Sequence, residues 1–139
     1  PKVREVLTVS DYENQVIRKF FGLGDKVQTV YNGVGDHFRP VPVSETAEFA
    51  AKHQLPEAFV LFLGNTDPKK NTEGMLRALD IAEKKHGFTP TLVMLDLDRA
   101  YLQSLLDKIG NPNLGGRIRL TGYLPNRELP LLMNRATIY

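Results

Sequence analysis

The segment Phe59-Val60-Leu61-Phe62-Leu63-Gly64-Asn65-Thr66-Asp67-Pro68-Lys69-Lys70-Asn71 decides how this chain folds. Its first residues, Phe59 to Leu63, form an unbroken apolar run. A run that short, aromatic and aliphatic, fits a strand buried on both faces, as in parallel sheets. Gly64 ends it by admitting a backbone conformation or a close approach that a Cβ would block. Asp67-Pro68 is turn chemistry, because Pro fixes φ and Asp can bond its own backbone downstream. Asn71 has the side chain of a helix N-cap, and Met75, Leu76, Leu79 and Ala82 then share one helical face. Strand, glycine turn, two lysines and helix start bring backbone N–H groups, a positive helix-dipole end and two ammonium groups into one crevice. Such a crevice suits a phosphate. Two adjacent lysines taken alone are more often plain solvated charge. The segment is neither the dinucleotide fingerprint, which needs further glycines after Gly64, nor a phosphate loop of the Gly-Lys-Ser/Thr type.

Downstream, strands and helices alternate with short connections. Thr91–Leu95 reads as a strand, and Asp98 as the cap of a helix carrying Leu102, Leu105, Leu106 and Ile109, closed by Gly110. After the turn-rich stretch from Asn111 to Gly116, Arg117–Leu120 reads as another strand. Gly122-Tyr123-Leu124-Pro125 then turns into a helix near Asn126, and a further strand begins at Ala136. The alternation predicts an α/β, Rossmann-like parallel sheet with flanking helices, in which Phe59–Leu63 lies beside Thr91–Leu95. Ligands of such sheets sit at the carboxyl ends of the strands. The loops to watch are therefore Gly64–Asn71, Asp96–Asp98 and Gly122–Pro125.

Upstream, Val6–Val9 reads as a short strand. Ser10 and Glu13 have capping-box spacing, and Val16, Ile17, Phe20 and Phe21 form an apolar face expected to pack on a sheet. Gly22 or Gly24 stops that helix, and Lys26–Tyr31 is a second strand closed by Asn32-Gly33. The stretch from Gly35 to Pro42 has two prolines and no periodicity, and reads as a linker. The boundary is set between 1–38 and 39–139. Ser44–Gln54 is a helix whose Ala47, Ala50 and Ala51 would lie close to a neighbour.

With 139 residues, the chain is one domain or one domain with a piece of another, and 42% hydrophobic residues suffice for a packed core. A net charge of +2 is too mild to argue for nucleic acid as a partner. There is no cysteine, which excludes disulfides and thiolate metal sites and fits a reducing, cytoplasmic setting. No apolar run approaches a membrane span, and none reads as a secretory leader. The chain opens on Pro1 and closes on Thr137-Ile138-Tyr139, the start of a strand, so both ends read as cut. His37, His53 and His86 are scattered and form no constellation.

In succession, several patterns resemble the retaining, GT-B-fold nucleotide-sugar glycosyltransferases of family 4. Val6-Leu7-Thr8-Val9-Ser10 and its helix look like the end of their N-terminal domain, and Val30-Tyr31-Asn32-Gly33-Val34 with Phe38-Arg39-Pro40 like the crossing into their C-terminal domain. Leu63 to Asn71 resembles their first donor loop. Leu120-Thr121-Gly122-Tyr123-Leu124-Pro125, followed by Glu128-Leu129-Pro130 and Arg135-Ala136, is similar to the segment against the nucleotide base. The resemblance implies a fragment of a hexosyltransferase, 39–139 being the first part of the donor domain. The donor site would comprise Gly64, Asn65, Lys69, Lys70, Asn71, Gly122, Tyr123 and Leu124. Lys70 would face the donor diphosphate, Asn65 would stand near the same oxygens, and residues 122–124 would pack on the base. It further implies a nucleoside-diphosphate sugar as substrate, no metal or other cofactor, and an acceptor hydroxyl of unknown kind. Association of the parent with a membrane surface and self-association through an open sheet are also expected. No catalytic residue is assigned within the fragment, since the paired-glutamate segment would follow Tyr139 and most of the acceptor domain would precede Pro1.

Two positions depart from the pattern. Asn65 stands where an arginine is common, and Leu95-Asp96-Leu97-Asp98 replaces a small, glycine-rich strand end. Asp98 reads as a helix cap and Asp96 as a turn residue. A receiver-like regulatory module binding a phosphorylated ligand is the alternative, with the Asp96 and Asp98 carboxylates near lysines. Against it, the carboxylates follow the wrong strand and no further acidic cluster appears. A Rossmann oxidoreductase would need the missing glycines.

Overall fold

A computed structural model describes residues 3–139, which divide into two compact units, one ending at Phe38 and one running Arg39–Tyr139. In the first, strand β1 (Val6–Thr8) pairs in parallel with β2 (Val27–Thr29), with Val6 opposite Val27. Helix α1 (Asp11–Phe21) connects them. Ser10 Oγ accepts from the Glu13 amide at 3.2 Å and caps its start, and Gly22 ends it in the left-handed conformation at φ 60°. The expected apolar face is only partly used. Val16 and Ile17 are half-buried, whereas Phe20 and Phe21 are 76% and 72% exposed. The cause is the size of the sheet. Two three-residue strands cannot cover a helix, and α1 is tied to β2 by polar bonds instead. Asn14, buried, donates Nδ2 to the Val27 carbonyl at 3.2 Å, and Arg18 donates to the same carbonyl at 2.8 Å. No helix or strand lies between Thr29 and Val43.

The second unit is a three-layer arrangement. Helix α2 (Val43–Lys52) leads to β3 (Val60–Phe62), which is followed by α3 (Thr72–His86), β4 (Leu92–Met94), α4 (Arg99–Ile109), β5 (Ile118–Leu120) and α5 (Leu129–Arg135). All pairings are parallel, β3 with β4 and β4 with β5, with Leu61 opposite Val93 and Val93 opposite Arg119. The alternation of side chains along each strand sorts the core into two layers. Val60, Leu92 and Met94 pack with Leu76, Leu79, Leu102, Leu105 and Leu106 of α3 and α4. Phe59, Leu61 and Val93 pack with Phe49 of α2 and Leu132 of α5. The central strand is thus buried on both faces, as its composition required.

Helix α2 buries Thr46, Phe49 and Ala50, while Ala47 and Ala51 are exposed. The aromatic ring of Phe49, inserted between α5 and the sheet, sets the helix's rotation, and the alanine face does not. The start of α5 lies at Leu129, later than the expected Asn126, with Pro130 in its first turn, where a missing N–H costs nothing.

Past α5 the chain returns to β3. Leu61 N donates to Ile138 O at 2.8 Å and Thr137 N to Phe59 O at 2.9 Å, making a parallel bridge between Val60 and Ile138. The lateral order is therefore Ile138, β3, β4, β5. Successive strands step away from β3 in one direction, and then the chain crosses to its other side. The order reverses at β3, which is a topological switch point.

Candidate functional site

The loop after β3 lies at that switch point, and its shape is fixed from within. A Cβ at Gly64 would strike the Phe62 ring and come within 3.0 Å of Thr72 Oγ1, so glycine is required by close approach, without any left-handed backbone. Asn65 Oδ1 accepts from Asp67 N at 2.8 Å, and Asp67 Oδ1 from Lys69 N at 3.0 Å. Pro68–Lys70 is a single turn of 3-10 helix, with Asp67 as its N-cap and Pro68 at its first position. Asn71 then takes the left-handed conformation at φ 51° and accepts from the Gly74 amide at 3.2 Å, which caps α3. Asn is one of the few non-glycine residues that tolerate this geometry. Thr72 Oγ1 donates to the Asn65 carbonyl at 2.6 Å.

The donors left over define what the loop can hold. The amides of Lys69, Lys70 and Asn71 are consumed inside the turn, by Asp67 Oδ1, Asp67 O and Pro68 O. The amides of residues 69–71 are therefore not free for a ligand, contrary to the expectation from the sequence. What remains includes the first turn of α3, whose Thr72 and Glu73 amides have no intrahelical acceptor, together with the ammonium groups of Lys69 and Lys70. Both lysines are exposed, and among the described residues neither is ion-paired with a carboxylate. Glu73, which would otherwise oppose an anion, is occupied by Lys108 at 2.6 Å and Arg77 at 2.8 Å. The Lys108 and then the Arg77 contacts hold its carboxyl below the usual range. Asn65, with its Oδ1 turned onto Asp67 N, acts as a loop brace.

The other two loops of the carboxyl edge are joined to each other. Asp96, left-handed at φ 42°, donates its amide to the Gly122 carbonyl at 3.2 Å, and Thr121 N donates to Met94 O at 3.0 Å. Gly122 is itself left-handed at φ 70°, which glycine alone adopts without cost. Tyr123 is 75% exposed at the tip of its turn. Leu124 is only 6% exposed and belongs to the core layer of Phe49, Phe59, Leu61 and Leu132. Its side chain is thereby spent on packing, and only its backbone is open to a ligand. Asp98 caps α4, its Oδ1 accepting from Tyr101 N at 2.9 Å, which leaves Asp96 as a turn residue. Among the described residues no group of three or more His, Cys, Asp or Glu is placed to hold a metal ion, and no helix is long and apolar enough to cross a membrane.

No family model matches the chain. It is similar to the O-antigen chain mannosyltransferase B of Escherichia coli, 26% identical over 136 residues that cover 96% of this chain and 36% of that protein. Among solved structures it is similar to a glycosyltransferase of Rickettsia africae ESF-5, with a TM-score of 0.73 and 18% identity, over 96% of this chain and 36% of that one. The chain thus spans a little over a third of the length of each. The structural likeness establishes a shared α/β fold of parallel strands flanked by helices.

Proposed function

We propose that this chain is part of a glycosyltransferase, and that Arg39–Tyr139 holds the nucleoside-diphosphate portion of a sugar donor. The observation that carries the reading is the position of the Lys69-Lys70 loop: it follows the strand at which the sheet order reverses, in a chain similar to a mannosyltransferase along nearly all its length. At that place two unpaired ammonium groups and the positive end of α3 supply fixed charge where a diphosphate leaving group gathers negative charge. Lysine meets phosphate as a point charge. In this reading Lys70 faces the diphosphate, and the backbone of Gly122 to Leu124 and the Tyr123 ring border the base. The whole enzyme transfers a hexose to an acceptor hydroxyl with retention, without a metal. The receiver-like alternative gains nothing from the structure, since Asp98 is spent on capping α4.

Titration with UDP, GDP and ADP, followed by amide NMR shifts in metal-free buffer, tests the proposal. Saturable binding of at least one, with shifts clustered at residues 64–73 and 122–124, is the expected result. Binding that requires Mg²⁺ and an acyl phosphate, with shifts at Asp96, would replace this reading with the regulatory one.

A further inference from the structure

We propose that the Thr72 hydroxyl is the positioning group that latches the start of the Asn65–Asn71 loop to the buried first residue of α3, a role that deepens the donor-site reading and rests on it. Every residue from Asn65 to Asn71 is solvent-exposed, whereas Thr72 is 3% exposed. The loop therefore has no buried side chain of its own. The bonds within it, from Asp67 N to Asn65 Oδ1, Lys69 N to Asp67 Oδ1, Lys70 N to Asp67 O and Asn71 N to Pro68 O, link loop residues to one another. They hold a shape, and Asn71, whose Oδ1 and O accept from Gly74 N at 3.2 Å and Met75 N at 3.1 Å, ties only the far end of that shape to α3. The bond from Thr72 Oγ1 to Asn65 O, 2.6 Å long, closes the two ends of the loop across seven residues and joins its first residue to a buried one. Gly64 makes the room, because a Cβ there would lie 3.0 Å from the same hydroxyl. Glycine and threonine thus work as a pair: the missing side chain admits the hydroxyl, and the hydroxyl holds the carbonyl.

The consequence is preorganisation. A charged loop that is already fixed loses less freedom when an anion binds than one that must be ordered at that moment. Replacing the hydroxyl by a methyl leaves the Asn65 carbonyl facing an apolar group, and frees the loop to fray from its strand end. A lost hydrogen bond of ordinary strength corresponds to about a tenfold change in an equilibrium.

The test uses Thr72→Val, which keeps the shape and removes the donor, and Thr72→Ser, which keeps the donor. Amide hydrogen exchange at Lys69, Lys70 and Asn71 should quicken about tenfold in Thr72→Val while β3 and β4 amides stay as they were, and Thr72→Ser should restore protection. Affinity for whichever of UDP, GDP and ADP binds the unmodified chain should fall about tenfold in Thr72→Val and recover in Thr72→Ser. Should Thr72→Val fail to fold, Thr72→Ala supplies the same comparison with space in place of a misplaced methyl. Unchanged exchange in the loop, or exchange quickened equally throughout the unit, overturns the latch. Faster loop exchange with unaltered diphosphate affinity overturns the positioning role. If the unmodified chain binds none of the three, the donor-site reading and the positioning role fall together, and the exchange measurements still decide whether Thr72 holds the loop.

Discussion

The amide of Leu61 donates to the carbonyl of Ile138 at 2.8 Å, across 77 positions of sequence, and that bond gives the sheet its point of reversal. With Thr137 N on Phe59 O, it sets residues 137–138 against β3 on the side opposite β4. From β3 the chain steps through α3 to β4 on one side, and from β5 it returns through α5 to the other side of β3, at whose carboxyl end Gly64 begins its loop.

Gly64→Ala should destabilise the second unit by about 1–3 kcal/mol, as overpacking does. The added methyl meets the Phe62 ring and Thr72 Oγ1, and both cannot yield without disturbing β3 or α3. Urea denaturation measures this, with an unchanged midpoint as the result against it. By contrast, Gly116→Ala should be nearly silent, because nothing lies within 4 Å of a Cβ there.

Asp96 and Asp98 look alike in sequence and should respond in opposite directions. Asp98→Ala removes the cap on Tyr101 N and should cost about 1 kcal/mol. Asp96→Gly relieves a left-handed backbone at φ 42° and should be neutral or stabilising by up to about 1 kcal/mol after its entropic cost. Thermal midpoints of the two variants decide it, and equal losses would contradict the assignment.

Asp80, on α3, is buried beneath Lys84 at 2.8 Å and Asn111 Nδ2 at 2.7 Å. The Lys84 contact first, then the Asn111 amide, holds its carboxyl below the ordinary value. A depressed carboxyl contributes stability above its unfolded pKa, near ~4, and loses it as pH falls through the folded value. The thermal midpoint should therefore drop below about pH 4, and Asp80→Asn should flatten that limb while lowering the midpoint at neutral pH. An acid limb that is equally steep in the variant would assign it to other carboxyls, such as Glu73 or Glu128, which are depressed chiefly by Lys108 and Lys52.

What could be read in advance was local. Five apolar residues before Gly64, the caps Ser10, Asn71 and Asp98, and the left-handed Gly22 and Gly110 all follow from chemistry within a few positions. What escaped depended on distant partners. Which face of α2 goes inward is decided by the site Phe49 fills under α5, and whether Phe20 and Phe21 are covered depends on how much sheet stands beside α1. Leu124 could be placed in a turn but not in a core layer, because its neighbours Phe59 and Leu132 come from elsewhere in the chain. Thr72 reads from the sequence only as the first helical residue after the Asn71 cap. A small hydroxyl directly after an N-cap asparagine, seven residues beyond an exposed loop's start, was the available signal.

The central claim is that the β3 loop carries a diphosphate through Lys70, and the most direct measurement compares Lys70→Ala with Lys69→Ala. Calorimetric titration should use the nucleoside diphosphate that binds the unmodified chain, with the corresponding nucleoside as reference. A charged hydrogen-bond partner contributes roughly 1.5–3 kcal/mol, so Lys70→Ala should weaken diphosphate binding by about 10- to 150-fold and leave the nucleoside unaffected. Lys69→Ala should change either affinity by less than about threefold, with both variants within about 0.5 kcal/mol of the original stability. Small and equal losses from both substitutions, or equal weakening of nucleoside and diphosphate, would contradict the account and return the two lysines to ordinary surface charge.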